Sequence, residues 1–218
     1  IFILDCGGGA LMFVKNIMIS KYHCHTVSYN DTLQEVFSVL DEHQIEGVPV
    51  LKGNKYIGTI TRYRVYKAAF LSELPRDIFL KETKAESIAE VNKTLKEDEI
   101  YENIFLDLKE TPLLAVVDDY EHFHGIVTRY DIIEQFQSTF GVHVPGVRIA
   151  LTTVETKGRI ARLTEIARQY QQQIISLVTF DETDKLLRRI VIKVVKAPNV
   201  DKFIHKLEES GFRVLHID

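Results

Sequence analysis

Tryptophan is absent from the 218-residue sequence, and cysteine and proline are scarce, with two and five copies. The two cysteines, Cys6 and Cys24, could form one disulfide at most. This excludes a disulfide-dense secreted scaffold and favours two reduced thiols. Long apolar runs are also missing: residues 1–4 are apolar, whereas a bilayer span needs about 20 residues. We therefore expect a cytoplasmic globular protein with no membrane partner.

An excess of positive charge is missing too, since the formal net charge is −4. Nucleic-acid binding through bulk electrostatics is therefore disfavoured, and no nucleic-acid partner is expected. The sequence contains no Gly-x-Ser-x-Gly elbow, phosphate-binding P-loop or His-Glu-x-x-His motif. We expect no catalytic residues, and we predict that the chain is not an enzyme.

The first eleven residues do not resemble the rest of the chain. The glycine-rich stretch Asp-Cys-Gly-Gly-Gly at 5–9 precedes Met12, where an ordinary sequence begins. The start also lacks the basic segment and continuous apolar core of a signal peptide. We expect residues 1–11 to be a leader that is not native, and we leave them out of the fold prediction.

An internal repeat is the strongest signal in the sequence. Gly-Thr-Ile-Thr-Arg-Tyr at 58–63 reappears as Gly-Ile-Val-Thr-Arg-Tyr at 125–130, displaced by 67 positions. Upstream, Thr26 matches Thr94 at a displacement of 68. Each copy has an apolar run and a polar turn before its glycine motif, which predicts a strand, a tight turn and a second strand.

The repeats are predicted to cover about 12–72 and 80–140, each with the order strand–helix–strand–strand–helix. The spacing of Leu33, Val36 and Leu40 is typical of a helix with one buried face, with Asn30 or Asp31 as its N-cap. Each repeat is half a core, so the two copies must pack face to face. The charged segment 81–99 is predicted to form a bridging helix and loop with a solvated face.

The period changes after residue 141. Residues 147–218 predict the order βαββαβ, with a turn at 181–184 and a helix that stops at Gly211. This order is the split-βαβ, ferredoxin-like plan of a separate domain. The fold class is therefore α/β (α+β).

The second copy of the motif carries a family resemblance. Gly-apolar-x-Thr-x-x-Asp, formed by Gly125, Thr128 and Asp131, resembles the nucleotide motif of cystathionine-β-synthase (CBS) domains. These domains occur in tandem pairs, or Bateman modules, that bind adenosyl ligands such as AMP, ADP, ATP or S-adenosylmethionine. The resemblance covers residues 12–140. It implies one adenosine-nucleotide site across the pair, formed by Thr128 and Asp131 facing Thr26 and Val27, with Val48 and Pro49 beside the base.

The motif makes chemical sense for such a ligand. An ionised aspartate offers acceptors to both ribose hydroxyls, while a threonine hydroxyl and a helix N-terminus favour a phosphate. The glycine allows a close approach of the backbone. In the alternative interpretation, Asp131 only caps the helix that follows it. Arg129, and Arg62 in the first copy, could reach ligand phosphates or could form surface ion pairs.

The first copy of the motif departs from this pattern. Arg64 stands where the ribose-binding acid belongs, and an arginine cannot accept a hydrogen bond. We therefore predict a degraded second site around Thr61, Arg62, Arg64 and Thr94 that is weak, empty or anion-preferring.

The C-terminal domain resembles an ACT domain, a small-molecule sensor of amino-acid metabolism. The resemblance implies a glycine loop at Lys157, Gly158 and Arg159 whose N–H groups could meet an amino-acid carboxylate. The alternative is a dimerisation or purely structural role. The histidine pairs at 23–25 and 122–124 have no third ligand at metal-site spacing, so no metal site is predicted.

The combination of CBS pair and ACT-like domain is similar to bacterial acetoin-utilisation regulators. This resemblance implies a cytoplasmic homodimer that senses a regulatory adenosine-containing ligand, uses no cofactor, and signals to an effector protein through a conformational change. Two alternatives stay open: an oligomerisation protein without a physiological nucleotide, and an amino-acid sensor that acts through the ACT-like domain.

Overall fold

The computed structural model describes residues 13–154, 156–182 and 187–218. The predicted leader at 1–11, with Cys6, lies outside the described residues, as does part of the turn predicted at 181–184. Helices and sheets are both present, so the predicted α/β (α+β) class is confirmed. Two compact units divide the chain, the first ending at Ile132 and the second beginning at Ile133. No described helix has the length and apolarity that a membrane crossing requires.

Among the described residues, six strands and most of the helices belong to the first unit. Its strands are β1 (Ile19–Ser20), β2 (Val27–Ser28), β3 (Gly47–Lys52), β4 (Lys55–Thr61), β5 (Leu113–Val117) and β6 (Phe123–Thr128). Its helices are α1 (Val14–Ile17), α2 (Leu33–Glu42), α3 (Arg62–Leu71) and α4 (Arg76–Glu82). Helix α5 (Arg129–Thr139) begins in this unit and continues past its end.

Helix α2 packs on a three-stranded sheet with the order β2-β3-β4. Its buried face carries Leu33, Val36 and Leu40, as the spacing predicts. The predicted N-cap at Asn30 or Asp31 is wrong. Thr32 is the cap, because its hydroxyl accepts a hydrogen bond from Glu35 N while the Glu35 carboxylate accepts from Thr32 N at 2.7 Å. This reciprocal pair is a capping box, which satisfies two backbone donors at once.

The second repeat differs from the prediction at its first helix. In place of an α-helix it has two short 3₁₀ helices, Tyr101–Ile104 and Asp107–Lys109. Neither has a side-chain N-cap, whereas α2 has a full capping box. The capping box stabilises the first turn of α2, and the segment at 101–109 lacks this contact. The apolar residues Ile104 and Leu108 still reach the core.

Each repeat borrows residues at one sheet edge from the beginning of the other copy. Strand β1 pairs with β6 of the second repeat, Ser20 opposite Gly125. In the first repeat, Thr59 and Glu90 exchange backbone hydrogen bonds of 2.8 and 3.0 Å. A Cβ on Gly125 would lie 2.2 Å from Ile19 O, so only glycine allows β1 to approach this closely.

The repeats meet at their hairpins. Lys55 and His122 form an isolated antiparallel bridge, and Tyr56 N donates to Glu121 O at 3.0 Å. Beneath this seam, side chains of both repeats form one buried cluster that includes Tyr56, Leu113 and Phe123. The predicted face-to-face burial of the apolar strands is therefore present.

The second unit contains β7 (Val147–Val154), α6 (Arg159–Gln169), β8 (Ile174–Glu182), β9 (Leu187–Val194), α7 (Val200–Glu209) and β10 (Arg213–Ile217). Its sheet is antiparallel with the order β10-β7-β9-β8. The observed βαββαβ order agrees with the predicted split-βαβ plan. Both helices cover one face of the sheet, where Leu163, Phe203 and Ile192 are fully buried.

Replacing Phe123 by alanine tests the seam between the repeats. Phe123 is 1% exposed in the shared cluster, whereas Phe70 on α3 is 89% exposed. We expect Phe123→Ala to lower the free energy of unfolding by about 3–5 kcal/mol, because it leaves a cavity. Phe70→Ala, the matched control, should change it by less than about 0.5 kcal/mol. Urea denaturation measures the free energy of unfolding of both variants. Equal losses would contradict the packing of Phe123 between the repeats.

Candidate functional site

A cavity of about 480 Å³ adjoins the first copy of the motif. Thr61 and Arg64 of the motif line it, and so do Lys67 of α3 and Glu90 of the borrowed segment. The second repeat contributes Thr111 and Pro112. The cavity is therefore built by both repeats, and its volume lies in the range of small-molecule sites, about 300–1,000 Å³.

Arg64 stays within its own repeat and the borrowed segment. Its Nε donates to Ile88 O at 2.8 Å, and its Nη1 forms an ion pair with the Glu90 carboxylate. Thr61 caps α3 by accepting a hydrogen bond from Arg64 N at 3.2 Å. The position where the motif calls for an acid is thus occupied by a guanidinium with its own counter-ion.

Three neutral polar residues, Thr59, Asn92 and Thr111, also line the cavity. Asn92 Nδ2 donates to Thr111 Oγ1 at 3.3 Å, and the Tyr56 hydroxyl shares a 2.9 Å hydrogen bond with Thr59 Oγ1. Burial raises the pKa of Tyr56 above its usual value, so this hydroxyl keeps its proton at neutral pH. Glu90 and Asn92 were not among the predicted site residues. Asn92 lies 68 positions after Cys24, the displacement that also relates Thr26 to Thr94, and this was the one signal in the sequence for Asn92.

Two residues predicted for the degraded site do not line the cavity. The guanidinium of Arg62 donates to Ile45 O at 2.9 Å and pairs with Asp41 at 3.1 Å. Thr94 precedes Leu95, whose backbone pairs with the second repeat at Ala115 O. The described residues therefore bring only Thr61 and Arg64 of the predicted set into the cavity.

Arg129 repeats the role of Arg62 in the second copy. Its Nε donates to Leu108 O at 2.7 Å and its Nη2 to Lys109 O at 3.0 Å. Both arginines thus satisfy carbonyls at the end of the helical segment of their own repeat, a role that sequence reasoning missed. These bonds account for Arg129 without a ligand, and its contact with a phosphate stays a prediction.

Asp131 caps α5 in the second copy. Its Oδ2 accepts hydrogen bonds from Thr128 N and from Thr128 Oγ1, both at 2.7 Å. Asp131 N donates back to Thr128 Oγ1 at 3.3 Å. No described residue donates to Oδ1. The helix-cap interpretation is therefore present in the structure, yet it uses one carboxylate oxygen and leaves the other as an acceptor.

Cys24 lies beside this motif, although it is far from it in sequence. Its thiol donates to Ile19 O and Ser20 O, both at 3.2 Å, on the strand that pairs with β6. Burial raises the pKa of Cys24 to about 11; a hydrogen bond with the Ile126 backbone lowers it, and the charge of Asp131 raises it further. The segment before Thr26 thus lies within electrostatic reach of Asp131.

The other predicted contacts of this site belong to the first repeat. Thr26 is exposed, whereas the side chains of Val27 and Val48 are buried in the core of the first repeat, at 4% and 0% exposure. Because these exposures are of whole residues, Val48 offers a ligand neither its side chain nor its backbone in this arrangement. Pro49 is buried opposite Thr59 in the β3–β4 pair.

The glycine of the motif has a different use from the one predicted. At Gly125 the close approach is made by β1, and at Gly58, with φ of 153°, by the backbone of Glu90, 3.1 Å from a built Cβ. The motif glycines thus have a structural use at the borrowed edges, and their approach to a ligand stays a prediction.

The predicted amino-acid loop is only partly open. Gly158 adopts φ of 86° at the start of α6 with open space beside it. Arg159 turns away, because its guanidinium donates to Ser210 O at 3.0 Å and to Gly211 O at 3.2 Å and lies over the Phe212 ring. Of the three predicted residues, Lys157 and Gly158 are exposed.

The side chains of His122 and His124 lie beside carboxylates at the seam. His122 Nδ1 lies 2.9 Å from Asp118 Oδ2, and His124 Nδ1 lies 2.6 Å from Glu97 Oε1. Desolvation alone would raise the pKa of Asp118, but hydrogen bonds from His122 and from Tyr120 N lower it to about 2. His25 stacks on His43, with ring centroids 3.6 Å apart. In the described part of the chain, no three potential ligands are placed to hold a metal ion.

A family model for the CBS domain matches residues 14–70 and 83–138, just over half of the chain. The chain therefore belongs to the CBS domain family. Inosine-5′-monophosphate dehydrogenase of Korarchaeum cryptofilum is 42% identical over 57 residues, which are 26% of this chain and 12% of that enzyme. The dehydrogenase of Methanocaldococcus jannaschii is 28% identical over 111 residues, 50% of this chain and 21% of that enzyme. The chain thus spans well under half of these curated relatives.

Solved structures show the same fold. A CBS domain-containing protein of unknown function from Bacillus anthracis has a TM-score of 0.53 and 24% identity, with 58% of this chain and 93% of that chain covered. Listeria monocytogenes CbpB in complex with c-di-AMP has a TM-score of 0.51 and 26% identity, with coverages of 59% and 96%.

Labelling of Cys24 tests its closeness to Asp131. In a Cys6→Ser background, we expect the iodoacetamide reaction to be slow at pH 8 and to accelerate up to about pH 11, because the thiolate reacts and the pKa is raised to about 11. Asp131→Asn should accelerate labelling at pH 8 roughly two- to fivefold, since a nearby negative charge is removed. The exposed Asp98→Asn is the control. A midpoint near the ordinary thiol value of about 8.5 would contradict the placement.

Proposed function

We propose that this chain is a regulatory protein that senses an adenosine-containing nucleotide at the second copy of its motif. The observation that carries the proposal is the Thr128–Asp131 pair. Its capping contacts use Oδ2 and leave Oδ1 without a donor among the described residues. A ribose hydroxyl can donate to this oxygen, because an ionised carboxylate accepts several hydrogen bonds.

The surroundings of Asp131 support a site that needs both repeats. Asp131 lies in the first turn of α5, where the helix dipole favours a phosphate. The segment that precedes the first repeat lies against β6, as Cys24 shows. A nucleotide held between Asp131 and that segment would contact both halves of the module, and it would favour whichever arrangement of the repeats it fits better.

The comparisons support the ligand class. CbpB of Listeria monocytogenes, a structural relative at 26% identity, was solved with c-di-AMP, which contains adenosine. We propose AMP, ADP, ATP, S-adenosylmethionine and c-di-AMP as the compounds to screen. The matched dehydrogenase segments are a minor part of those enzymes, and we propose a non-catalytic role for this chain.

The output of the sensor is proposed on the resemblance alone. A cytoplasmic homodimer of the acetoin-utilisation regulator type would pass the ligand-induced change to an effector protein. The second unit would act as an ACT-like domain, and its ferredoxin-like topology supports this. Because Arg159 is held by carbonyls 210 and 211, an amino acid would have to bind through the backbone around Gly158.

Asp131→Asn tests the proposal directly. We expect this variant to weaken adenosine-nucleotide binding about 10–100-fold, because hydrogen bonds to a charged acceptor contribute about 1.5–3 kcal/mol. Asparagine keeps an oxygen that can cap α5, so the fold should persist. Isothermal titration of AMP, ATP and c-di-AMP measures the loss.

Asp98→Asn is the matched control, since Asp98 is an exposed aspartate of the same unit. It should bind like the unmodified protein. Equal affinity of the Asp131 and Asp98 variants for a nucleotide that binds the unmodified chain would refute the assignment, and so would the failure of every adenosine compound to bind.

A further inference from the structure

A small groove lies among three helices of the first repeat. It has a volume of about 220 Å³ and is lined by residues of α2, α3 and α4. Val65 and Leu80 are its buried part, at 1% and 9% exposure, whereas Phe70 is 89% exposed. We propose that this groove binds a small apolar carboxylic acid, with its carbon chain or ring between the helices and its carboxylate on Arg76.

The charge in the groove supports a carboxylate. Arg76 is the one charged side chain among the described residues that line it, and its neighbour Asp77 does not line it. The other arginines of the first unit, Arg62, Arg64 and Arg129, all bind carbonyls or carboxylates of the protein. In the described part of the chain, the guanidinium of Arg76 has no such partner. A guanidinium binds both oxygens of a carboxylate in a fork.

The lining of the groove supports an apolar body on that carboxylate. Apart from Arg76 and the Tyr66 hydroxyl, the lining side chains are hydrocarbon, among them Phe37 of α2 and Leu80 of α4. Phe37 and Tyr66 pack with their ring centroids 5.8 Å apart. Burial of a carbon chain against such surface is favourable in proportion to the apolar area removed from water.

The volume of the groove limits the size of the acid. A cavity of about 220 Å³ lies below the range of drug-sized sites, about 300–1,000 Å³. A water molecule has a share of about 30 Å³ in the liquid, so the groove equals about seven waters. This is room for a chain or ring of roughly six to eight carbon atoms.

A small side chain on α3 keeps the groove open. Ala69 lines it, and the repeat displacement of 67 places Phe136 at the matching position of the second copy. On the opposite side, α4 is held against α2, because Leu33 N donates to Thr83 O at 2.9 Å just after α4 ends. A larger side chain at position 69 would therefore occupy the space proposed for the ligand.

The dimensions of the groove favour a small molecule over a segment of another protein. A stable protein interface buries about 800 Å² on each partner. The buried part of the groove, around Val65 and Leu80, has room for one or two side chains of such a partner. A complete small acid can fill the same space and reach Arg76.

The test uses the full chain and isothermal titration, with ligand-detected NMR for weak binding. The probes are octanoate, benzoate, acetate and octanamide. Octanoate and benzoate should bind. Acetate should bind at least tenfold more weakly, because it buries little apolar area. Octanamide should also bind at least tenfold more weakly, because it has the same chain without a charged acceptor.

Two substitutions in the groove and one matched control locate the binding. Arg76→Gln should weaken octanoate binding about 10–100-fold, since it removes a charged donor. Ala69→Phe should weaken it at least tenfold by filling the groove, while the urea midpoint shows whether the fold persists. Lys81→Gln removes an exposed cation of α4 that does not line the groove, and it should leave the affinity unchanged.

Several outcomes would overturn the proposal. These are no binding of either apolar acid, equal affinity for octanoate and octanamide, and equal effects of Arg76→Gln and Lys81→Gln. If the acids do not bind and Ala69→Phe instead changes the sedimentation of the chain, the groove is a protein-docking surface and the proposal is wrong. Because the groove shares no lining residue with the Thr128–Asp131 pair, this proposal and the proposed nucleotide site can fail separately.

Discussion

The exchange of edge strands between the repeats is the constraint on which the rest of the first unit depends. Strand β1 reaches the second repeat, and the Glu90 segment reaches the first repeat. Both approaches need a glycine, since a Cβ at Gly125 or Gly58 would meet the backbone of the borrowed segment. The motif strands therefore have partners supplied by the other half of the module, and the cavity at the first copy is lined by residues of both halves.

This constraint also explains why the two copies of one motif differ in chemistry. In each copy a threonine caps the following helix, and an arginine satisfies carbonyls of the preceding helical segment. These shared contacts maintain the fold. The position three residues after the threonine is free to vary, because Asp131 and Arg64 both fit there, one by capping and one by pairing with Glu90. Ligand preference can thus change at one position without loss of the module.

The repeat, the hairpins and the βαββαβ order could be predicted from the sequence, because each is encoded locally by periodicity or by a turn. The partner of β1 could not, since a two-residue strand carries no pattern that identifies its neighbour. The 3₁₀ helices at 101–109 escaped prediction because their apolar spacing resembles that of α2. The roles of Arg62 and Arg129 escaped because a carbonyl acceptor 17 to 22 residues away leaves no local signal. The Thr128–Asp131 pair could be found from its motif. The motif alone could not decide between helix capping and ligand binding for Asp131.

Because of the borrowed edges, the unit that is repeated in the sequence does not coincide with the unit that folds. The sequence repeat runs along the chain with a displacement of 67 to 68 residues, whereas each compact half takes one edge from outside its own copy. A gene encoding a single copy would leave its glycine-bearing edge unpaired unless a second molecule supplied the strand. Either copy alone would therefore present unpaired backbone donors and acceptors along that edge, which is where a second molecule would pair.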